Sequence, residues 1–125
     1  MTLKLRPSSP TLFIAALICA GWLGYAQGKK AAGPKGEVVR SENDRVRVVE
    51  YNLIPGVAMG MHDHPRDRVE ITLTSSRVRV TTAEGNASEV DEKEGSVTWS
   101  AASAARHDVV NIGKTPLRAF HVELK

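Results

Sequence analysis

From Asn43 to the C-terminus the chain alternates between short β-branched runs and turn residues, and this rhythm restricts its fold more than any other feature. Val46 to Leu53 reads VRVVEYNL and stops at Ile54-Pro55-Gly56. Val57 to His64 follows, with Pro65-Arg66-Asp67 as the next turn. Val69 to Thr74 and Arg77 to Thr82 alternate apolar and polar residues on either side of Ser75-Ser76. Glu84-Gly85-Asn86 turns the chain again, Asp91 to Gly95 reads as an acidic bend, and Ser96 to Ser100 is a further strand. Val109 to Ile112 and Leu117 to Leu124 close the sequence around Gly113-Lys114-Thr115-Pro116. No stretch beyond the leader shows an apolar period of about 3.6 residues, so helices are not expected there. Many short strands at regular spacing predict an all-β antiparallel sandwich or barrel.

The first residues have a different character. Lys4 and Arg6 precede a mostly apolar run, Thr11 to Gly24, and Gly24-Tyr25-Ala26 supplies small residues at the −3 and −1 positions of a cleavage site. That is the anatomy of a secretory signal peptide, cut after Ala26. The alternative is an uncleaved membrane anchor, but the run is shorter than the roughly 20 residues a spanning helix needs. A lipoprotein signal is not supported, because Ala16 and Ile18 precede the lone Cys19. Residues 27–41 are rich in Gly, Lys and Ala and read as a flexible linker, with Glu37 to Arg40 able to dock as an edge strand. The expected layout is a signal peptide over 1–26, a linker over 27–41 and a β-barrel domain over 42–125. The expected location is the periplasm or the exterior.

Cleavage leaves residues 27–125 without cysteine, so no disulfide can staple the domain. It also removes two positive charges, taking the formal net charge from +3 to +1. No basic cluster is longer than Lys29-Lys30, so nucleic acid is not an expected partner.

His62, His64 and His107 carry the functional signal. Two histidines two apart on a strand share a face and stand about 6.6 Å apart along it. Their imidazoles can converge on one ion, and imidazole suits zinc, copper, iron and nickel. A barrel could bring His107 to the same point. The bland reading is that these are exposed strand histidines.

Here the chain resembles a small single-domain cupin over about Ser41 to Lys125. The first cupin motif is G-x5-H-x-H-x3,4-E-x6-G, and Gly56, His62 and His64 match its opening. The second is G-x5-P-x-G-x2-H-x3-N, and Gly95, His107 and Asn111 match its ends. The resemblance implies a six- to eight-stranded antiparallel jelly-roll barrel with a divalent metal inside: iron, manganese, nickel, copper or zinc. It also implies a small-molecule ligand or substrate and a homodimer through edge strands.

The departures are specific. Arg68 and Val69 occupy the slots of the motif glutamate, and the nearest acid, Glu70, comes one place late. Ser75 stands near the closing glycine, Ala101 and Ser103 replace the second motif's Pro and Gly, and His107 is one residue late. The His107-x3-Asn111 spacing places the insertion in an Ala101 to Arg106 loop. Glu70 is a candidate fourth ligand if a bulge after Pro65 turns it inward. Otherwise Arg68 must turn away from the metal or pair with Glu70.

The remaining candidates have simpler readings. Asn111 suits a turn, Asp63 the solvent face, and His121 an ordinary strand position. Trp99, Phe120 and Tyr51 suit the core or a cavity wall. Met59 and Met61 are expected on the face away from His62. Two functions stay open: a metalloenzyme of dioxygenase, isomerase or decarboxylase type, or a non-catalytic small-molecule binding or sensing barrel without turnover, its metal structural, a ligand anchor or absent. Fold alone does not separate them.

Overall fold

The computed structural model describes residues 33–125, all of it strands and their connections. The leader 1–26 and the start of the linker lie outside the described residues. The strands are β1 (Glu37–Glu42), β2 (Val46–Leu53), β3 (His62–His64), β4 (Arg68–Thr72), β5 (Ser76–Thr82), β6 (Ala87–Glu92), β7 (Val97–Ser100), β8 (Ser103–Asn111) and β9 (Leu117–Leu124). They form a five-stranded sheet in the order β1-β2-β9-β4-β7 and a four-stranded sheet in the order β3-β8-β5-β6. Every pairing is antiparallel.

The long strands form where alternation is strongest. β2 and β9 pair without interruption from Val46↔Leu124 to Leu53↔Leu117. The side-chain period of two then sets one residue of each pair inward in rows across the sheet. β4 extends those rows, with Thr72 opposite Ala119, Glu70 opposite His121 and Arg68 opposite Glu123. Along the inner face the rows change from apolar to ionic: Leu53 and Leu117, then Tyr51, Ala119 and Thr72, then Val49, His121 and Glu70, then Arg47, Glu123 and Arg68.

The apolar end is the core. Val49, Tyr51, Leu53, Met59, Val78 and Leu117 are buried together, with Val57, Val80 and Val109 packed against them. Burying each such side chain is worth about 1.5–3 kcal/mol. At the ionic end the buried Glu123 carboxylate accepts from Arg47 Nη1 at 3.0 Å and Arg66 Nη1 at 3.0 Å. Arg47 also pairs with Glu37.

Asn111 holds the two sheets in register at the core edge. It is 0 % exposed, and its amide donates to the carbonyls of Leu53 at 2.7 Å and Thr115 at 2.8 Å. Its carbonyl oxygen accepts from Ser76 Oγ and Gly113 N, both at 2.9 Å. Its backbone also binds the loop before β3, through Gly56 N to Asn111 O at 2.7 Å and Asn111 N to Val57 O at 3.2 Å.

Several expectations need correction. Glu37 to Arg40 docks as an edge strand as expected, within a β1 that runs on to Glu42 and past the linker's end at residue 41. The count reaches nine strands, one beyond the expected six to eight, because β1 and β6 both form, the latter on a sequence, ASEVDE, that had the look of turn and acidic bend. β6 is polar because it is an outer strand, exposed over most of its length, and needs no apolar face. The Val57 to His64 strand shrinks to His62–His64, preceded by a single bridge from Ala58 to Val110. Trp99 is 56 % exposed on the outer strand β7 and does not line the core.

Candidate metal centre

β3 and β8 place the three histidines. His62 pairs with His107, and His64 pairs with Ser103. Two steps along β3 thus face four along β8, so the residues inserted in the second motif form a bulge within the strand. The expected loop over Ala101 to Arg106 is strand from Ser103 onward. The bulge leaves His107, Val109 and Asn111 on the inner face.

His62, His64 and His107 each offer one ring nitrogen, and these lie within 4.8 Å of one another. The ring centroids are 5.0 Å apart for His62 and His64, 4.7 Å for His62 and His107, and 5.1 Å for His64 and His107. One of the rings is held by backbone. His62 Nδ1 lies 2.7 Å from the carbonyl of Gly60. A carbonyl only accepts, so Nδ1 carries the proton and Nε2 is the free donor atom. Fixing one ring nitrogen in this way is how proteins aim the other at an ion.

Gly60 makes the His62 contact possible. Its φ is +91°, a conformation that L side chains rarely adopt, and its N–H donates to Asp108 Oδ1 at 2.8 Å. The same kink breaks alternation. Met59, expected on the far face from His62, is buried and lines the same cavity, while Met61 is exposed.

Burial disfavours the charged form of two of the rings. Burial, the Arg68 charge and the neighbouring imidazoles push the His64 ring down to about 3. Burial and His62 also lower His107. Three neutral imidazoles are the protonation state that a transition metal requires.

The cavity around the cluster has a volume of about 170 Å³. The four-stranded sheet supplies the histidines together with Val78, Val80 and Val109. The five-stranded sheet supplies Arg68, Glu70, Thr72 and His121. β4 pairs regularly with β7 and β9 from Arg68 onward, so no bulge turns Glu70 relative to Arg68. Both enter the cavity, and Arg68 Nη2 meets Glu70 Oε1 at 2.6 Å. Glu70 therefore answers a cation, and it lies outside the cluster of three histidines.

His121 is the residue that sequence reasoning undervalued. Its ring centroid lies 5.8 Å from that of His64 and 4.5 Å from that of Tyr51. Its Nδ1 is buried with no partner. Burial, partly offset by Glu70, lowers its pKa to about 4. The sequence did hold a signal: His121 alternates in phase with Ala119 and Leu117, whose apolar character marks the inner face. Asn111 binds the turn at Gly113 and Thr115 and lies outside the histidine cluster, and Asp63 is exposed, both as the sequence suggested.

Solved structures share this architecture. A cupin domain from Bordetella pertussis Tohama I is 28 % identical, with a TM-score of 0.66 over 78 % of this chain and 99 % of its own. The fold is a cupin-type jelly roll. An RmlC-like cupin with a double-stranded β-helix fold from Methanocaldococcus jannaschii matches at TM-score 0.55 and 20 % identity, over 77 % of this chain and 84 % of its own. A protein with a double-stranded β-helix domain from Klebsiella pneumoniae matches at TM-score 0.56 and 20 % identity, over 76 % and 79 %. No family model and no curated protein matches the chain.

Proposed function

We propose that this cupin barrel binds one divalent transition metal through His62, His64 and His107 and uses it to engage a small molecule in the cavity. The observation that carries this reading is the convergence of three imidazoles, with His62 Nδ1 tied to Gly60 so that Nε2 is left to bind. The donor set fits the group: imidazole accepts iron, manganese, nickel, copper and zinc, and three protein ligands leave coordination positions for a ligand. When bound, the metal would supply Lewis acidity or, if iron, manganese or copper, redox capacity. The chain's own residues do the rest. Arg68 and Glu70 set the charge of the facing wall, Val80, Val109 and Leu117 exclude water from one side, and His121 offers a ring nitrogen across from His64.

Export after cleavage at Ala26 belongs to the same reading, supported by Lys4 and Arg6, the apolar run Thr11 to Gly24 and the small residues Gly24 and Ala26. A homodimer through an outer strand also belongs to it. β7 carries Val97 at 67 % and Trp99 at 56 % exposure on a sheet edge.

The test is elemental analysis of the protein purified from its native compartment without a histidine tag. One equivalent of metal is expected. Replacing His62, His64 or His107 by Ala should each remove most of it, while His121→Ala should retain it. Equal loss from all four variants, or from none, would reject the assignment.

A further inference from the structure

We propose that the cavity binds a small carboxylic acid as its anion, with Arg68 gripping the carboxylate and a second oxygen of the same molecule facing the histidine cluster. The second contact rests on the metal reading above; the first does not.

The argument begins with a vacant donor. The Arg68 side chain is 10 % exposed, and its Nη2 is spent on Glu70 at 2.6 Å. Its Nε is buried and has no partner. Nε and Nη2 lie on one edge of the planar guanidinium, the edge that a carboxylate spans with two parallel hydrogen bonds. Glu70 fills half of that edge. A buried charged donor left unpaired is uncommon and points to a missing water, ion or ligand.

Position and charge point the same way. Arg68 projects from the five-stranded sheet into the cavity whose opposite wall holds His62, His64 and His107. Arg68 and Glu70 cancel as an ion pair, and imidazole ligands bring no charge of their own. A divalent ion would then leave the cavity with two uncompensated positive charges, which favours an anion over a neutral or cationic guest. His121 Nδ1, the other unpartnered cavity nitrogen, offers a further polar contact.

Size and shape narrow the class. At about 30 Å³ per water, a cavity of about 170 Å³ holds roughly six water-sized units. That suits a two- to four-carbon acid. A 2-hydroxy or 2-oxo acid carries the second oxygen donor that the geometry asks for. Its short carbon chain would rest on Val80, Val109 and Leu117.

The experiment uses cobalt(II) as the metal probe and glycolate as the acid. Cobalt binding is read from its visible absorption, and glycolate binding by calorimetry, with and without cobalt. Glycolate should bind, and acetamide and inorganic phosphate should not compete at the same concentration. Arg68→Gln should weaken glycolate about 10- to 100-fold, the loss of charge-assisted hydrogen bonds, while shifting cobalt affinity less than about threefold. Arg68→Lys keeps the charge without the fork and should still weaken glycolate about tenfold. Glu70→Gln should tighten glycolate, because it removes the competitor for Nη2; an unfolding effect cannot produce that gain. Glycolate binding that is absent, equal in wild type and Arg68→Gln, or matched by phosphate would overturn the proposal, and bound cobalt would leave the metal reading standing. Arg68-dependent glycolate binding in a protein that takes up no cobalt would uphold the anion site and sink the metal.

Discussion

Replacing Asn111 should cost this domain a large share of its stability, and the amount can be worked from its four side-chain hydrogen bonds. Asn111→Ala removes two donors and two acceptors at a site of 0 % exposure. The Leu53 carbonyl, at a residue 1 % exposed, loses the Asn111 amide. A net hydrogen bond is worth about 1 kcal/mol, and a buried partner left unsatisfied costs about 1–3 kcal/mol. The sum is about 3–5 kcal/mol once the small cavity is included. Domains have roughly 0.05–0.15 kcal/mol of stability per residue, so one of this size has about 5–14 kcal/mol in all. In urea, with a slope of about 1.5 kcal/mol/M, the midpoint should fall by roughly 2–3 M.

Asn111→Asp sharpens the test. It puts an oxygen where the amide donor faced two carbonyls at 2.7 and 2.8 Å. At pH 7 it should be less stable than Asn111→Ala. Burial among carbonyls raises the carboxyl pKa of the folded state, so the variant should gain on Asn111→Ala as pH falls toward about 4. A loss below 1 kcal/mol in Asn111→Ala would refute the reasoning, because it would mean the four bonds do not hold β8 to the end of β2, the start of β5 and the turn before β9. The site has a stake in this: His107 stands four residues before Asn111 on the same strand, and His62 follows the loop that Asn111 binds.

Two further outcomes can be checked on the metal-free protein. The His64 and His121 pKa values sit at about 3 and about 4, below the ordinary value of 6.5, because burial disfavours the charged rings. The unfolded chain then takes up protons that the folded chain refuses, so stability is full above pH 6.5 and is lost as pH falls. Each ring contributes at most about 1.4 kcal/mol per pH unit, so the two cost up to about 4 kcal/mol between pH 6.5 and 5, less whatever solvent in the cavity screens. Chemical denaturation at pH 7, 6 and 5 should show this slope, and a flat profile would mean the rings are solvated. Gly36 and Gly56 have similar φ values of +82° and +79°, but a Cβ at Gly36 would lie 2.5 Å from the Asn52 carbonyl oxygen and one at Gly56 would meet nothing within 4 Å. Gly56→Ala should cost about 1 kcal/mol of backbone strain and Gly36→Ala clearly more; thermal midpoints in the reverse order would contradict the packing at the start of β1.

The pattern of alternation was enough to predict an all-β domain, and for β2 and β9 it predicted the ends of the strands as well. Those strands have one wet face and one buried face, so burial is written into every second residue. β6 escaped because an outer strand with little to bury writes no such pattern. Trp99 was misplaced for the related reason that a single aromatic residue does not reveal which sheet edge it occupies.

The spacing of His62, His64 and His107, set against the cupin motifs, marked out the three histidines that the fold brings together before any geometry was known. Their convergence depended on the bulge in β8 and the kink at Gly60, local departures from regular pairing that alternation cannot foresee. Sequence named Arg68 as an anomaly at a glutamate slot and offered two fates for it. Only the folded chain, by setting β4 opposite the histidines, put Arg68 and Glu70 together inside the cavity with one guanidinium nitrogen unpaired. The physical reason is general. Periodicity reports which face of a strand is buried, a one-dimensional property, whereas a binding site is made by side chains from different sheets, and their meeting is decided by topology.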